Sequence, residues 1–208
     1  MNENNELILK IEQAVGLEPI ELKIKKLNEN AIIPSYAHDG DVGMDLTAIS
    51  VEYDSELDMY AYHTGITIES DKHYGIFIFP RSSNRKTDAY LCNHVAVIDS
   101  AIYRGEIILC FKNRKPIDTI CRDEEMKCLL EVLTQTSKLD RNSIETAAKR
   151  IGEISENIYS NPMKFAPYQV GDRIAQMVVL PYPDVRLIET DKLTQTERGS
   201  NGFGSTGN

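Results

Sequence analysis

Asp99 closes an apolar run, Val95 to Ile98, and Tyr103, Arg104, Gly105 and Glu106 stand just before a second apolar run, Ile107 to Phe111. Two strands joined by a tight corner would bring a carboxylate, a phenol and a guanidinium into one small space. A carboxylate held there can orient or deprotonate a water, which is general-base work, although an aspartate at a strand end also serves simply to cap a turn. Upstream, Arg81, Ser82 and Ser83 follow Pro80 and offer a guanidinium fork, two hydroxyls and turn amides, a set suited to phosphate oxygens. Asn93 carries both an amide donor and an acceptor and can read the edge of a base, or it can be an ordinary turn residue. Asp45 follows Gly40 and Gly43 in the acidic loop AHDGDVGMDLTA, Ala37 to Ala48. Loops of this type either hold a magnesium-bound water or are solvated turns.

The chain ends in RGSNGFGSTGN, Arg198 to Asn208, where four glycines surround Phe203, Ser205 and Thr206. It lacks the lysine and the following helix of a phosphate-binding Walker loop. Its accessible amides and single aromatic ring read instead as an arm that orders over a phosphorylated ligand.

The elements that must position these groups are mostly strands. From Ile20 onward the pattern alternates, and SVEYD, MYAYHTGITIES, HYGIFIFP and LCNHVAVID are short runs separated by polar or Gly-containing turns, the pattern of an all-β sandwich or barrel. After the insertion described next, FAPYQVGDRIAQMVVLPY restores β character, with a turn at Gly171 and Asp172 and an expected alternation of Ile174, Gln176 and Val178 against Arg173, Ala175 and Met177.

Residues 113–166 break the β pattern. Met126, Leu129, Leu130 and Leu133, and then Ile144, Ala147, Ala148, Ile151, Ile154 and Ile158, fall at helical spacing. These stripes are expected to form the core of a helical hairpin turning near Ser137 to Asn142, with Asn142 and Glu145 as a helix-start signal. Residues 1–19 read as an extension with one short helix.

Composition sets outer bounds. The 208 residues, 41% apolar and 26% charged, fit one domain with a modest insertion. The start lacks the basic flank and apolar heart of a signal peptide, and no apolar run approaches a membrane span, so a cytoplasmic, non-membrane protein is expected. A net charge of -9 speaks against nucleic-acid binding through a broad basic face, while a small anion needs only a few local arginines. Four cysteines without a CxxC pair or zinc-like spacing are expected to be free thiols.

Five stretches in order, AHDGDVGMDLTA, PRSSNRK, NHVAVIDSAIYRGE, GDRIAQMV and RGSNGFGSTG, closely resemble the five motifs of the trimeric deoxyuridine triphosphatases (dUTPases). The resemblance implies a distorted jelly-roll-like β-barrel over residues 20–112 and 167–197, interrupted by the helical hairpin at 113–166 and ending in the arm at 198–208. It also implies a homotrimer whose sites combine motifs of several subunits and split dUTP into dUMP and pyrophosphate with Mg2+. That reaction limits uracil in DNA and supplies dUMP for dTMP synthesis.

Position by position, the resemblance makes Asp99 the water-activating acid and Asn93 the uracil reader. Arg81, Ser82, Ser83 and Gln176 become phosphate-binding groups, and Asp45 supports the metal through water. In the arm, Arg198 would hold the γ-phosphate and Phe203 would stack on uracil, while Gly204, Ser205 and Thr206 complete the substrate contacts.

Two positions depart from the family pattern. The ring tyrosine usually stands three residues after the acid, whereas here Ile102 has that spacing and Tyr103 follows. Either a bulge returns Tyr103 to the deoxyribose or Ile102 makes that contact. Ala96 also replaces a usual glycine. Two alternatives share the scaffold: a dCTP deaminase, and a regulatory protein that binds a protein partner through the insertion.

Overall fold

The computed structural model describes residues 20–135, 141–197 and 199–200. The extension at 1–19 and the arm residues Arg198, Phe203, Gly204, Ser205 and Thr206 lie outside the described residues.

The strands are β1 (Lys23–Lys26), β2 (Met44–Thr47), β3 (Ser50–Asp54), β4 (Met59–His63), β5 (Ile66–Glu69), β6 (Tyr74–Pro80), β7 (Ala89–Leu91), β8 (Ala96–Ile98), β9 (Ile108–Asn113) and β10 (Arg173–Pro181). They form an antiparallel β1-β5 pair and two four-stranded antiparallel sheets, ordered β2-β10-β6-β8 and β3-β4-β9-β7. All three sheets contribute to one core, with Leu46, Ile76, Ile78 and Met177 from the first large sheet and Tyr60, Tyr62, Leu109 and Phe111 from the second. This is the expected jelly-roll-like β fold, although among the described residues no continuous ladder closes it into a barrel.

Period-two patterning explains which side chains reach that core. In β4 the residues alternate, with Tyr60 and Tyr62 inward. A buried phenol needs a partner, and the Tyr62 hydroxyl donates to the Tyr168 carbonyl and accepts from the Tyr168 amide, both at 3.0 Å. The Phe111 ring meets Tyr62 and Tyr168 edge-on, so this cluster joins β4 and β9 to the chain entering β10. Burial pushes the Tyr60 hydroxyl up to about 12, and it remains a donor, to the Pro162 carbonyl at 2.8 Å.

Strand β10 departs from simple alternation. Its register on β2 shifts between Arg173 and Ala175, so Ile174, Ala175 and Met177 are all buried. The expected grouping of Ile174 with Gln176 therefore fails at a bulge, the device by which a strand admits one extra residue.

Two helices, α1 (Ile117–Gln135) and α2 (Arg141–Ser160), pack together where a helical hairpin is expected. The buried face of α1 carries Ile117, Cys121, Cys128 and Val132, while Met126, Leu129 and Leu130 are exposed. The expected core stripe is thus rotated out. Small apolar cysteines occupy the seam that longer side chains were expected to fill. Asn142 lies inside the described helix and not before it, and Glu145 pairs with Arg141 at 3.1 Å, so the expected helix-start box is not formed.

Within the seam the Glu125 carboxylate accepts from the Cys121 thiol and the Ser155 hydroxyl, which holds its carboxyl below the usual range. At the base, Asn113 Nδ2 donates to the Phe165 carbonyl at 3.0 Å, tying the end of β9 to the returning chain.

All four cysteines are free thiols. Among the described residues no helix is long and apolar enough to cross a membrane.

Replacing Tyr62 by Phe strands the Tyr168 amide and carbonyl in the core and is expected to cost about 2 kcal/mol, read from the midpoint of urea unfolding. An unchanged midpoint would show that the hydroxyl contributes nothing.

Candidate active site

The first candidate group gathers around Asp45. Its β2 position faces Gln176 of β10, which in turn faces Phe79 of β6, so three strands fix the neighbourhood. Asp45 is only 8% exposed, and two guanidiniums compensate its charge. Arg81 Nε stands 2.8 Å from Oδ1 and Arg173 Nη1 donates to Oδ2 at 3.0 Å. The Arg81 pair is close but off line, and Oδ1 has no aligned hydrogen bond. At Gly43 an added Cβ would stand 3.1 Å from Gln176 Cβ, so the backbone passes closely over that side chain.

Ser82 is exposed and Ser83 half-buried in the short 3-10 turn Ser82–Lys86, directly after Arg81. Tyr168 anchors that turn by donating to Asn84 Oδ1 at 2.8 Å. The result is two guanidiniums on one buried carboxylate, with Gln176 its partner on β10 and the two serines in the turn next to Arg81; guanidiniums and hydroxyls of this kind suit phosphate oxygens.

The second candidate group lies after β8. Asp99 is exposed, and its carboxylate has no hydrogen-bond or ion-pair partner among the described residues. Its carbonyl accepts from both Ile102 N, at 2.9 Å, and Tyr103 N, at 2.7 Å. The chain therefore makes a single helical turn after Asp99, and this turn, not a strand bulge, absorbs the additional residue.

Ile102 is 82% exposed, whereas Tyr103, at 46%, shares a cavity of 240 Å³ with Val97, Asp99 and Ile107. The Tyr103 ring lies over Gly105, where a Cβ would come within 2.1 Å of its hydroxyl oxygen. That hydroxyl donates to the Glu106 carbonyl at 3.2 Å. The Glu106 carboxylate is held by the Gly65 amide at 2.7 Å and by His63 Nδ1 at 2.9 Å.

Asn93 is exposed in the turn between β7 and β8. The Ala96 side chain is accommodated in the core opposite Ile78.

The sheet keeps the two groups apart. Ile98 pairs with Ile76 near the start of β6, whereas Arg81 follows Pro80 at its far end. The five steps between Ile76 and Arg81 span about 17 Å at the rise of a strand. The 240 Å³ cavity beside Asp99 is smaller than the roughly 300–1,000 Å³ of pockets that enclose a small ligand.

Among the described residues no group of three or more His, Cys, Asp or Glu side chains could hold a metal ion. A divalent ion at these residues would therefore be held chiefly by phosphate oxygens and its own waters, with Asp45 as the buried carboxylate beside it. Arg173 and Glu106 lie inside two of the quoted motifs but carry no role in the sequence reading; their contacts with Asp45 and with the Gly65 amide bring them out.

Fold and site together define a jelly-roll-like β protein with two guanidiniums on a buried carboxylate and an exposed carboxylate at a strand end. A family profile described as dUTPase matches residues 135–207, and the deoxyuridine 5'-triphosphate nucleotidohydrolase of Clostridium novyi is 32% identical over 189 residues, covering 90% of this chain and 99% of that protein. The chain belongs to the dUTPase family.

The protein of the same name from Alkaliphilus metalliredigens is 29% identical over 187 residues, covering 89% of this chain and 96% of that one. Among solved structures, the dUTPase of Staphylococcus bacteriophage 80alpha with dUpNHpp shares the fold at a TM-score of 0.58 and 19% identity, over 90% of this chain and 98% of that one.

Asp45→Asn leaves Arg81 and Arg173 without a compensating carboxylate and is expected to lower stability by about 2–3 kcal/mol, less than a fully buried pair because Arg173 is half exposed. Denaturant unfolding measures this, and an unchanged midpoint would mean that water solvates both guanidiniums equally well.

Proposed function

We propose that this chain is a dUTP diphosphatase acting as a homotrimer, in which Asp99 of one subunit meets the Asp45 and Arg81 group of another. The observation that carries this reading is the separation of the two halves. One protomer presents its exposed carboxylate and its guanidiniums at opposite ends of β6, too far apart to serve one triphosphate. A second copy brings them together at no cost in local structure. The exposed apolar residues Val185, Leu187, Ile188 and Leu193, on the segment after β10, support association of the same kind.

In this reading the uracil edge is met by Asn93 and the sugar by the Tyr103 ring. The Asp99 carboxylate accepts a proton from water as the water oxygen bonds to the α-phosphorus; the bond from that phosphorus to the bridging oxygen breaks, and pyrophosphate leaves with dUMP as the other product. Arg81, Ser82, Ser83 and Gln176 bind the negative phosphate oxygens, where preorganised donors are worth more than mobile water. Arg198, Phe203, Gly204, Ser205 and Thr206 of the arm close over the substrate and exclude other water. Magnesium, when bound with the triphosphate, supplies positive charge on its oxygens, and Asp45 Oδ1 would hold one of its waters. A dUTPase of Staphylococcus phage phi11 is described with a structural Mg(II) ion. The exposed face of α1, with Met126, Leu129 and Leu130, is the surface this reading leaves for a protein partner.

Pyrophosphate release from dUTP, and not ammonia release from dCTP, is the expected activity; ammonia would instead establish a deaminase. Asp99→Asn is expected to lower turnover at least about a thousandfold while nucleotide binding is largely kept. Near-normal turnover would exclude Asp99 as the base.

A shared site makes a second, sharper expectation. Neither Asp99→Asn nor Arg81→Ala should be active alone, but co-assembled subunits should regain about a quarter of wild-type sites by random mixing. No recovery would mean that each protomer builds its own site.

A further inference from the structure

Arg104 directs its guanidinium to the turn that carries Tyr103. Nη1 donates to the Ser100 carbonyl at 2.8 Å and the Tyr103 carbonyl at 2.9 Å, while Nη2 donates to the Ala101 carbonyl at 3.0 Å. These are the carbonyls that a one-turn helix leaves unbonded at its end. Nη2 also reaches Glu69 Oε2 at 2.9 Å, and Lys23, 2.8 Å from the other Glu69 oxygen, completes the row. Lys23 first, and then Arg104, holds the Glu69 carboxyl below its usual range, so the counter-charge is present at neutral pH.

The turn is also fixed from below. Ser100 is buried, and its hydroxyl stands 2.5 Å from the Ser70 hydroxyl. On the other side Tyr103 is confined over Gly105 with its hydroxyl on the Glu106 carbonyl. The fixed ring forms a wall of the cavity next to Asp99, while Ile102 points away.

We propose that Arg104 is a positioning residue for sugar selection: by bonding the Ser100, Ala101 and Tyr103 carbonyls it holds the Tyr103 ring against the space a ribose 2'-hydroxyl would need. The proposal rests on the reading of this site as a dUTP hydrolase. A planar guanidinium bonds several carbonyls at once, which an ammonium cannot match, so lysine is an incomplete substitute. A shift of about 1 Å in a positioned group is enough to alter selectivity without removing the reaction.

The test is steady-state pyrophosphate release from dUTP and UTP by wild type, Arg104→Ala, Arg104→Lys and Glu69→Gln. The ratio of kcat/KM for dUTP to that for UTP is expected to fall about tenfold in Arg104→Ala and about threefold in Arg104→Lys and Glu69→Gln, chiefly through gain on UTP. A purely structural role would lower the melting temperature and the active fraction but leave that ratio unchanged. Should the alanine variant fail to fold, the ratio in the lysine and glutamine variants decides, and an unchanged ratio in both overturns the proposal. Wild-type protein without turnover of dUTP would overturn the hydrolase reading and this assignment together, whereas wild type active on dUTP with unchanged ratios in the variants overturns the assignment alone.

Discussion

Strand β6 is bonded along both edges, to β10 on one side and β8 on the other, and much of the molecule's chemistry follows from that pairing. A strand inside a sheet has no register freedom, because a slip of one residue would turn Ile76 and Ile78 out of the core. Everything attached to its two ends is therefore fixed at a set distance. Arg81 leaves one end towards Asp45, and the turn after Asp99 lies beside the other. The separation of the two groups is thus a property of the sheet and not of any residue in them.

The two halves solve different electrostatic problems. Around Asp45, charge is collected and compensated internally: a buried carboxylate orients two guanidiniums that would otherwise repel each other. Around Asp99 the carboxylate is left exposed, and order is imposed on the backbone beneath it by Arg104, Ser100 and Glu106. A negatively charged protein can in this way gather two guanidiniums at one place and leave a carboxylate exposed at another. Net charge says little about either.

Chain order was well legible in the sequence. The short alternating runs and the two helical stretches depend on local spacing, which a sequence displays directly. The stripe on α1 was misread because Cys121 and Cys128 pack as small apolar side chains while Met126 and Leu130 reach solvent. Periodicity marks a helix with two apolar faces, but it does not say which face is covered. The grouping along β10 failed for a related reason, since a bulge adds one residue without any local signal.

The sequence by itself determined which functional groups are available, in what order, and that strands would carry most of them. Tertiary structure decided their partners. Whether Tyr103 or Ile102 borders the cavity depended on one turn whose carbonyls are bonded by a side chain and whose serine is buried against Ser70. The pairing of Asp45 with Arg173 joins residues 128 apart in sequence. Such contacts follow from sheet register and packing, which depend on the whole core at once, and no local window of sequence contains that information.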